Sequence, residues 1–262
     1  CADRAVSRNV WRVRTATAIA YHRVTAAREM KVNVLEQIMA NRRKDIAKAK
    51  QAVPIEVLRS ATRRRRHRSL AERLHRDGAS HIIAEVKKAS PSAGLICRHY
   101  DPGATARLYE KGGAVAVSVL TEPRHFLGST EHMAAVRKSV SLPILRKDFI
   151  CDPYQVAETA ACGGDVVLLI AAALDAALMR ALYEECLRCG LEVIAEAHTA
   201  KELRLALDLE DAIIGINSRN LATLKCGLSV VQQLADLIPK DRLCIAESGI
   251  RKRADIVRLE RL

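Results

Sequence analysis

The chain is predicted to be an α/β protein, a TIM (β/α)8-type barrel preceded by an N-terminal helical extension, and three observations point to that fold. Its 262 residues suit one large domain, and α/β barrels are the single domains that commonly reach this length. Short apolar runs alternate with helical patterns, and their starts lie roughly 20 to 33 residues apart, the length of one strand–helix unit. Polar or charged residues follow five of these runs, as at the active face of a barrel.

The N-terminal part of the chain precedes the barrel in this prediction. Residues 1–29 contain six Arg and no Lys; they resemble a transit peptide in composition, or they are translated sequence upstream of a start at Met30. We favour the second alternative and assign 1–29 to a segment outside the core. Residues 30–78 show apolar residues at helical spacing, interrupted at Pro54, and are predicted to form a helical extension of the domain 30–262.

Seven strand candidates follow this extension. Each is short and apolar, and they occupy residues 82–86, 114–120, 143–145, 165–170, 192–195, 213–216 and 243–246. Right-handed crossovers between successive strands build a parallel sheet, which closes into a barrel near eight strands. Because only seven βα units are visible and the last helical pattern runs to Leu262, we expect strand 8 and helix 8 to be missing and the chain to be incomplete at its C-terminus.

Composition restricts the class of function. The net charge of +13 and the pI near 9.6 favour an anionic partner, either nucleic acid or a small acidic metabolite. Aromatic residues make up only 3%, which argues against a stacking platform for single-stranded nucleic acid, and we interpret the basic run at 63–68 as a solvated helix face. No apolar stretch approaches the roughly 18 residues of a membrane span. We therefore expect neither a nucleic-acid nor a membrane partner.

The eight cysteines are scattered, and only Cys186 and Cys189 have CxxC spacing. Without a second pair or a nearby His, a zinc site is not expected, and the helical stretch around them indicates helix packing instead. Scattered cysteines are typical of reduced thiols. The sequence thus predicts a cytoplasmic protein without a bound metal.

The polar strand ends form the candidate site. In a parallel barrel the residues just beyond the strands converge on one mouth, so charges far apart in sequence become neighbours. An isolated lysine beyond a strand is usually a surface charge, but random surface charges would not follow the strand register. The sequence therefore predicts a single pocket lined by Glu85, Lys87, Lys147, Glu196, Asn217, Arg219, Glu247 and Ser248.

Four motifs occur in order at these strand ends: Glu-x-Lys-x-x-Ser-Pro-Ser from Glu85, Ile-Leu-Arg-Lys-Asp-Phe from Ile144, Gly-Ile-Asn-Ser-Arg-Asn-Leu from Gly215 and Ala-Glu-Ser-Gly-Ile from Ala246. With them, the sequence from about residue 30 to 262 closely resembles the indole-3-glycerol phosphate synthase family. The resemblance implies a carboxy-lyase of tryptophan biosynthesis that converts 1-(2-carboxyphenylamino)-1-deoxyribulose 5-phosphate to indole-3-glycerol phosphate, carbon dioxide and water. It also implies that neither a metal nor an organic cofactor takes part.

The resemblance assigns the two lysines of the site to catalysis. Lys147 matches the general acid that protonates the ketone oxygen during ring closure. We expect nearby cations such as Arg146 and Lys87 to lower the pKa of Lys147 and ease proton donation at neutral pH. Lys87 matches the residue that binds the substrate's anionic, phosphate-bearing end, with a share in proton transfer as an open alternative.

Three further residues are catalytic candidates through the same resemblance. Glu85 and Glu196 match carboxylates that stabilise the cationic intermediate and move protons during loss of water, and which of them is the base stays open. Asn217 matches a residue that orients a substrate hydroxyl. Arg219, which pairs with the surrounding carboxylates, and Glu247 are assigned to substrate binding.

The remaining candidates contact the ends of the substrate. Phe126 and Phe149, the only two phenylalanines, match positions beside the leaving carboxylate, with loop packing as the alternative. Ser90 and Ser248 match substrate-contacting positions, and Gly249 lets a backbone N–H approach the phosphate. In the family, much of the phosphate site comes from a Gly-Ser turn after strand 8, which the visible units do not include.

Other functions stay open at this point. Lys147 would also suit a Schiff-base aldolase. The chain could equally be an incomplete or split barrel fragment that is inactive alone, or a basic RNA-binding module using residues 63–68. The expected partner is a small anionic substrate that joins a phosphosugar to anthranilate; a partner enzyme of the tryptophan pathway and the oligomeric state also stay open.

Overall fold

The computed structural model describes residues 34–62, 67–76, 81–219 and 226–262. The chain divides into two units, Cys1–Lys31 and Val32–Leu262, and every described residue belongs to the second. Residues 1–29 and the four arginines at 63–66 lie outside the described residues. The predictions made for them therefore stay predictions, as do the domain boundaries.

Three helices precede the sheet, as the helical spacing predicted: α1 is Val34–Ala52, α2 is Ile55–Thr62 and α3 is Leu70–Leu74. Helix α1 buries Leu35, Ile38, Met39 and Ile46, which recur along one face. Pro54 lies between α1 and α2, where its ring and missing N–H end the first helix. These helices pack on the barrel through their apolar faces.

The central sheet has seven parallel strands: β1 Ile83–Val86, β2 Ala116–Leu120, β3 Ile144–Lys147, β4 Val166–Ile170, β5 Glu192–Ala197, β6 Ile213–Asn217 and β7 Cys244–Glu247. Each strand pairs with the next one along the chain. Every predicted strand overlaps an observed one, which confirms the α/β barrel class. Among the described residues, β1 pairs only with β2 in this sheet and β7 only with β6. The prediction of a missing eighth unit stays a prediction.

Helices follow the strands in regular alternation: α4 Pro102–Lys111, α5 Thr130–Ser139, α6 Pro153–Ala161, α7 Ala176–Arg188, α8 Ala200–Leu207, α9 Ser229–Ala235 and α10 Arg253–Leu259. Five of them begin at a side chain that accepts a hydrogen bond from the first turn, namely Asp101, Ser129, Asp152, Asp175 and Thr199. These caps define where the loops above the strands end. The loops after strands β1 to β5 are thereby held at their helix ends.

The core is aliphatic, as the low aromatic content predicted. Strands β2, β4 and β6 are buried along their whole lengths, as expected of parallel strands covered on both faces. Cys186 is fully buried in this core and Cys189 ends the same helix, which confirms that the CxxC spacing reflects helix packing. In the described ranges, no helix is long and apolar enough to cross a membrane.

Candidate active site

One cavity of about 1450 Å³ is lined by side chains from all seven strands and by the start of α1. All of the predicted site residues contribute to its lining: Glu85, Lys87, Ser90, Phe126, Lys147, Phe149, Glu196, Asn217, Arg219, Glu247, Ser248 and Gly249. The strands deliver these side chains from positions spread over more than half of the sequence. The convergence of the strand ends, which was inferred from the sequence alone, is therefore observed.

The ammonium group of Lys147, at the end of β3, is surrounded by carboxylates. Its Nζ lies 2.5 Å from Glu247 Oε2 and 3.9 Å from Glu85 Oε2. Burial disfavours the charged amine, but the charges of Glu247, Glu85 and Glu196 outweigh it and hold the pKa of Lys147 well above its usual value. The amine is therefore protonated throughout the neutral range.

This finding overturns the expectation that neighbouring cations lower the pKa of Lys147. Successive side chains of a strand point to opposite faces, and Arg146 accordingly turns away from the cavity. Arg146 is fully buried and donates to Asp148 Oδ2 at 3.0 Å. Lys87 is itself paired with Glu85. The dominant charge around the Lys147 amine is therefore negative.

Glu85, on β1, is the most strongly compensated carboxylate of the site. It accepts a hydrogen bond from Lys87 Nζ and lies near Lys147. Burial by itself would raise the pKa of Glu85, but the charges of Lys147, Lys87 and Arg219 together lower it. Glu85 is thus ionised at neutral pH.

The pKa of Glu196, near the end of β5, is raised, whereas the pKa of Glu85 is lowered. Its side chain is only 3% exposed, and burial together with the charge of Glu247 raises the pKa of Glu196 to about 7. Lys147, His198 and a hydrogen bond from Asn217 limit that rise. The side-chain oxygen of Asn217 accepts from Arg219 N at 2.9 Å, which leaves the amide N–H for the Glu196 carboxylate. The site therefore combines an ionised carboxylate, that of Glu85, with a carboxyl group, that of Glu196, which exchanges its proton near pH 7.

The raised pKa of Glu196 predicts a pH dependence of stability. The folded chain binds this proton more tightly than the unfolded chain, whose Glu titrates near 4.5. The resulting stabilisation is complete below the unfolded pKa and is lost as the pH rises through the folded pKa. Between pH 5 and 7 this group should lower the free energy of unfolding by about 1.4 kcal/mol per pH unit. Urea unfolding at several pH values should show that Glu196→Gln lacks this fall; equal pH slopes in both proteins would contradict it.

The two phenylalanines lie side by side in the cavity lining, with ring centroids 6.4 Å apart. The loop that carries Phe126 is held by Glu122, a fully buried carboxylate. Glu122 accepts from three successive backbone N–H groups, those of Arg124, His125 and Phe126, at 3.0, 2.6 and 3.0 Å. An apolar wall therefore lines one side of a polar cavity, and its loop is fixed by hydrogen bonds.

Ser90 lies in a short hairpin after β1 that borders the same wall. The hairpin pairs Ala89–Ser90 with Gly94–Leu95, and Ala89 N donates to Phe126 O at 3.2 Å. Ser90 Oγ accepts from Ala93 N at 3.2 Å and lies 3.5 Å from Ser92 Oγ. The hydroxyl is thus oriented by its own turn.

The loop after β7 has an unusual backbone. Ser248 and Gly249 have φ values of 65° and 74°. A positive φ is uncommon for a residue other than glycine, such as Ser248. Ser218 Oγ donates to Ser248 O at 3.0 Å, and a Cβ on Gly249 would lie 2.8 Å from that same Oγ. A glycine is therefore required where the backbone turns beside the cavity.

Three positions around the site were missed from the sequence. Glu122 anchors the Phe126 loop, Arg42 of α1 donates to Asp148 Oδ2 at 2.9 Å, and His198 lies 3.3 Å from Glu196 Oε1. Two of them had an available signal: His198 lies two residues after Glu196 and therefore on the same side of the chain, and Glu122 lies two residues beyond the end of β2. Arg42 is separated from its partner by 106 positions, and no local pattern connects them.

Comparison with known proteins identifies the relatives of this chain. The family model described as indole-3-glycerol phosphate synthase matches residues 35–262. The chain belongs to this family. A relative from Burkholderia multivorans (strain ATCC 17616 / 249), named indole-3-glycerol phosphate synthase, is 40% identical over 227 residues, which cover 86% of this chain and 87% of the relative. The family assignment therefore rests on most of both sequences.

One solved structure supports the fold. It is a tryptophan synthase complex from Pyrococcus furiosus, with a TM-score of 0.50 and 13% identity, covering 70% of this chain and 83% of that chain. At this identity the similarity concerns the arrangement of strands and helices alone. It agrees with the sequential parallel strand order described above.

Proposed function

We propose that this chain converts 1-(2-carboxyphenylamino)-1-deoxyribulose 5-phosphate to indole-3-glycerol phosphate. The observation that carries the proposal is the protonated amine of Lys147, which lies among the carboxylates of Glu247, Glu85 and Glu196 in a cavity that Phe126 and Phe149 also line. The reaction needs a proton donor, a proton acceptor and a region of low polarity in one cavity. The family to which the chain belongs supports the same reaction.

Lys147 acts as the general acid in this proposal. The aromatic carbon that bears the carboxylate attacks the ketone carbon, and the ammonium group delivers a proton to the ketone oxygen. Glu247, 2.5 Å from Nζ, orients the amine. A Schiff-base mechanism is disfavoured, because it requires a neutral amine and the surrounding carboxylates keep this one protonated.

Loss of carbon dioxide restores the aromatic ring. The carbon–carbon bond to the carboxylate breaks and its electrons return to the ring. We place this group against Phe126 and Phe149, since an apolar setting disfavours the charged carboxylate more than the neutral product. The hydroxyl at the former ketone carbon then leaves as water with one proton, pushed out by the nitrogen lone pair.

The two glutamates divide the remaining work. Loss of water leaves a cationic intermediate, and the ionised Glu85 stabilises it through its negative charge. Removal of one proton from the adjacent carbon then forms the indole. Glu196, whose pKa of about 7 suits proton exchange at neutral pH, accepts that proton in our proposal. Asn217 and Arg219 keep the two carboxylates apart and orient the substrate hydroxyls.

The anionic substrate is held by both ends. Lys87 approaches the phosphate-bearing end with its ammonium group, and the turn at Ser248–Gly249 offers backbone N–H groups to the same phosphate. Ser90 adds a hydroxyl at the opposite rim. The net charge of +13 raises the local concentration of such an anion. We further propose that the chain works in the cytoplasm, which suits the seven free cysteines of the described ranges.

The experiment is a direct assay of the purified chain with this substrate, following the fluorescence of indole-3-glycerol phosphate. We expect turnover, and we expect Glu196→Gln to lower kcat by about two to four orders of magnitude with a smaller change in KM. Glu210→Gln, an exposed glutamate outside the cavity, is the matched control and should retain wild-type kcat. Absence of product from the folded wild-type protein would refute the proposed reaction.

A further inference from the structure

A histidine outside the proposed catalytic set lies between two carboxylates. His198 follows β5, and its side chain is 10% exposed. Its Nε2 lies 3.3 Å from Glu196 Oε1, and its Nδ1 lies 3.1 Å from Glu202 Oε2 on helix α8. One imidazole ring thus connects the site carboxylate to the helix that packs behind it.

The outer carboxylate of this arrangement is rigidly held. Glu202 accepts from Thr199 Oγ1 at 3.0 Å and from the backbone N–H of His198 at 2.8 Å. Thr199 in turn caps the first turn of α8 through its own hydroxyl. Because both Glu202 and the histidine backbone are fixed, the Nδ1 contact sets the orientation of the ring.

The inner contact has a different character. His198 Nε2 is buried and has no aligned hydrogen-bond partner among the described residues, although Glu196 Oε1 lies at ion-pair distance. An interaction of this geometry acts mainly through charge. The sequence Glu196-Ala197-His198 thus places a cation behind the Glu196 carboxylate. Lys147 and Asn217 act on the same carboxylate from the cavity side.

We propose that His198 is a positioning residue for Glu196, holding its carboxylate toward Lys147 and Asn217 and supplying the positive charge that keeps it ionised when substrate is converted. The groups that face the ring are Glu196 on its own segment, Glu202 on α8 and Glu247 on β7. All three are acidic. Burial alone would lower the pKa of His198, but the three carboxylates raise it by more than burial lowers it. The ring therefore stays positively charged to a higher pH than a free histidine.

The arrangement predicts what happens when the charge is removed. Without an imidazolium at 3.3 Å, burial and the charge of Glu247 would act on Glu196 with less opposition. The pKa of Glu196 should then move upward by about one unit or more, the usual effect of one opposite charge at this distance. At pH 7 most of the enzyme would carry a neutral Glu196 and would be unable to accept a proton.

The first test is independent of activity. Carbon-13 NMR of glutamate-labelled protein follows the titration of the Glu196 carboxyl, assigned by its loss in Glu196→Gln. His198→Asn is the informative variant, because its amide can still meet Glu202 near the Nδ1 position while the charge toward Glu196 is lost. We expect an upward shift of the Glu196 titration in His198→Asn, and none in His99→Gln, which alters an exposed histidine.

The second test rests on the proposed function and uses the pH profile of kcat. In His198→Asn the acidic limb should move to higher pH, so that kcat falls at least fivefold at pH 7 but recovers toward wild type by pH 8.5, with KM little changed. Glu202→Gln leaves His198 in place but removes the carboxylate that orients its ring. The acidic limb of the pH profile should therefore move in the same direction, by a smaller amount. A substitution that merely disturbs packing would lower kcat by one factor at every pH.

The two tests separate the two proposals. An unchanged Glu196 titration in folded His198→Asn or in folded Glu202→Gln, or a uniform loss of kcat across pH, would overturn the role of His198. If the wild-type chain has no turnover while the Glu196 titration moves as expected, the proposed reaction is wrong and the positioning role stands. If His198→Asn does not fold, Glu202→Gln decides the matter by the same NMR measurement.

Discussion

Replacing Lys147 by Ala should lower kcat for the proposed reaction by about two to four orders of magnitude, the usual contribution of a positioned acid. The substitution removes the ammonium group that contacts Glu247, whose Oε2 lies 2.5 Å from Nζ. It also leaves Glu85 and Glu196 without their shared counter-charge. The fluorescence assay for indole-3-glycerol phosphate measures the loss directly, and a loss smaller than tenfold would remove Lys147 from the role of acid.

Two further variants separate proton donation from charge. Lys147→Arg keeps a cation near the carboxylates, but a planar guanidinium group cannot place its donors where the compact ammonium group is held, so kcat should stay low while substrate binding is largely retained. Lys138→Ala removes an exposed lysine at the end of α5 and should behave as wild type. If Lys147→Arg were as active as the wild type, the residue would act through its charge alone.

The strand ends could be predicted because parallel strands impose a strict order on the sequence. Five of the seven barrel strands are short apolar runs with a polar residue at or near the end, namely Glu85, Lys147, Glu196, Asn217 and Glu247. Convergence then follows from the direction of the strands, without knowledge of any single contact. The composition of the cavity was therefore available from the sequence.

The electrostatics of the cavity could not be obtained in the same way. Arg146 and Lys147 are adjacent in sequence, and treating them as neighbours gave the wrong direction for the pKa of Lys147. The alternation of side chains along β3 separates them, so that Arg146 donates to Thr121 Oγ1 at 3.0 Å and to Gln155 O at 3.0 Å on the outer face. The pKa of a side chain depends on the charges that lie on its own face of the strand. In a strand these are the residues two positions away, and not the adjacent ones.

Contacts between distant elements were equally out of reach. Helix α1 was predicted as a helix, but its buried Arg42 meets Asp148 beyond β3, and Asp45 meets Arg124 at 2.6 Å in the Phe126 loop. The helical extension is thus attached to both loops that carry the phenylalanines. Helical periodicity identifies the buried face of α1 but carries no information on the charged groups it meets.

Asp148 is the centre of the buried part of this connection. Its side chain is fully buried, and its Oδ2 accepts from Thr121 at 2.7 Å, Arg42 at 2.9 Å and Arg146 at 3.0 Å. Its Oδ1 accepts from Phe149 N at 2.8 Å. One carboxylate therefore binds two buried guanidinium groups, which also pair with Glu158 and Asp45, and it holds the backbone at Phe149.

Asp148→Ala should lower the free energy of unfolding by about 3 kcal/mol at pH 7, because it removes the buried carboxylate that Arg42 and Arg146 share. The loss stays at the low end for a broken buried ion pair, since Arg146 keeps Glu158 at 2.8 Å and Arg42 keeps Asp45 at 3.6 Å. Urea unfolding measures the loss. Lys50→Ala, which removes the exposed pair with Asp152 on the same face of the barrel, is the control and should cost less than about 1 kcal/mol. A deficit for Asp148→Ala as small as that of the control would mean that the network contributes no more than a surface pair.

The pH dependence of this loss distinguishes a buried ion pair from a packing defect. Burial would raise the pKa of Asp148, but Arg146, Arg42 and the hydrogen bonds outweigh it and lower the pKa below its ordinary 3.8. The stabilisation is therefore present above that value and is lost as the pH falls through the folded pKa. The deficit of Asp148→Ala should stay constant between pH 5 and 8 and shrink toward the acid limit of folding.

Asp148→Asn, which keeps the volume but loses the charge, should show most of the same deficit, because the two arginines need a negative charge rather than a side chain of that shape.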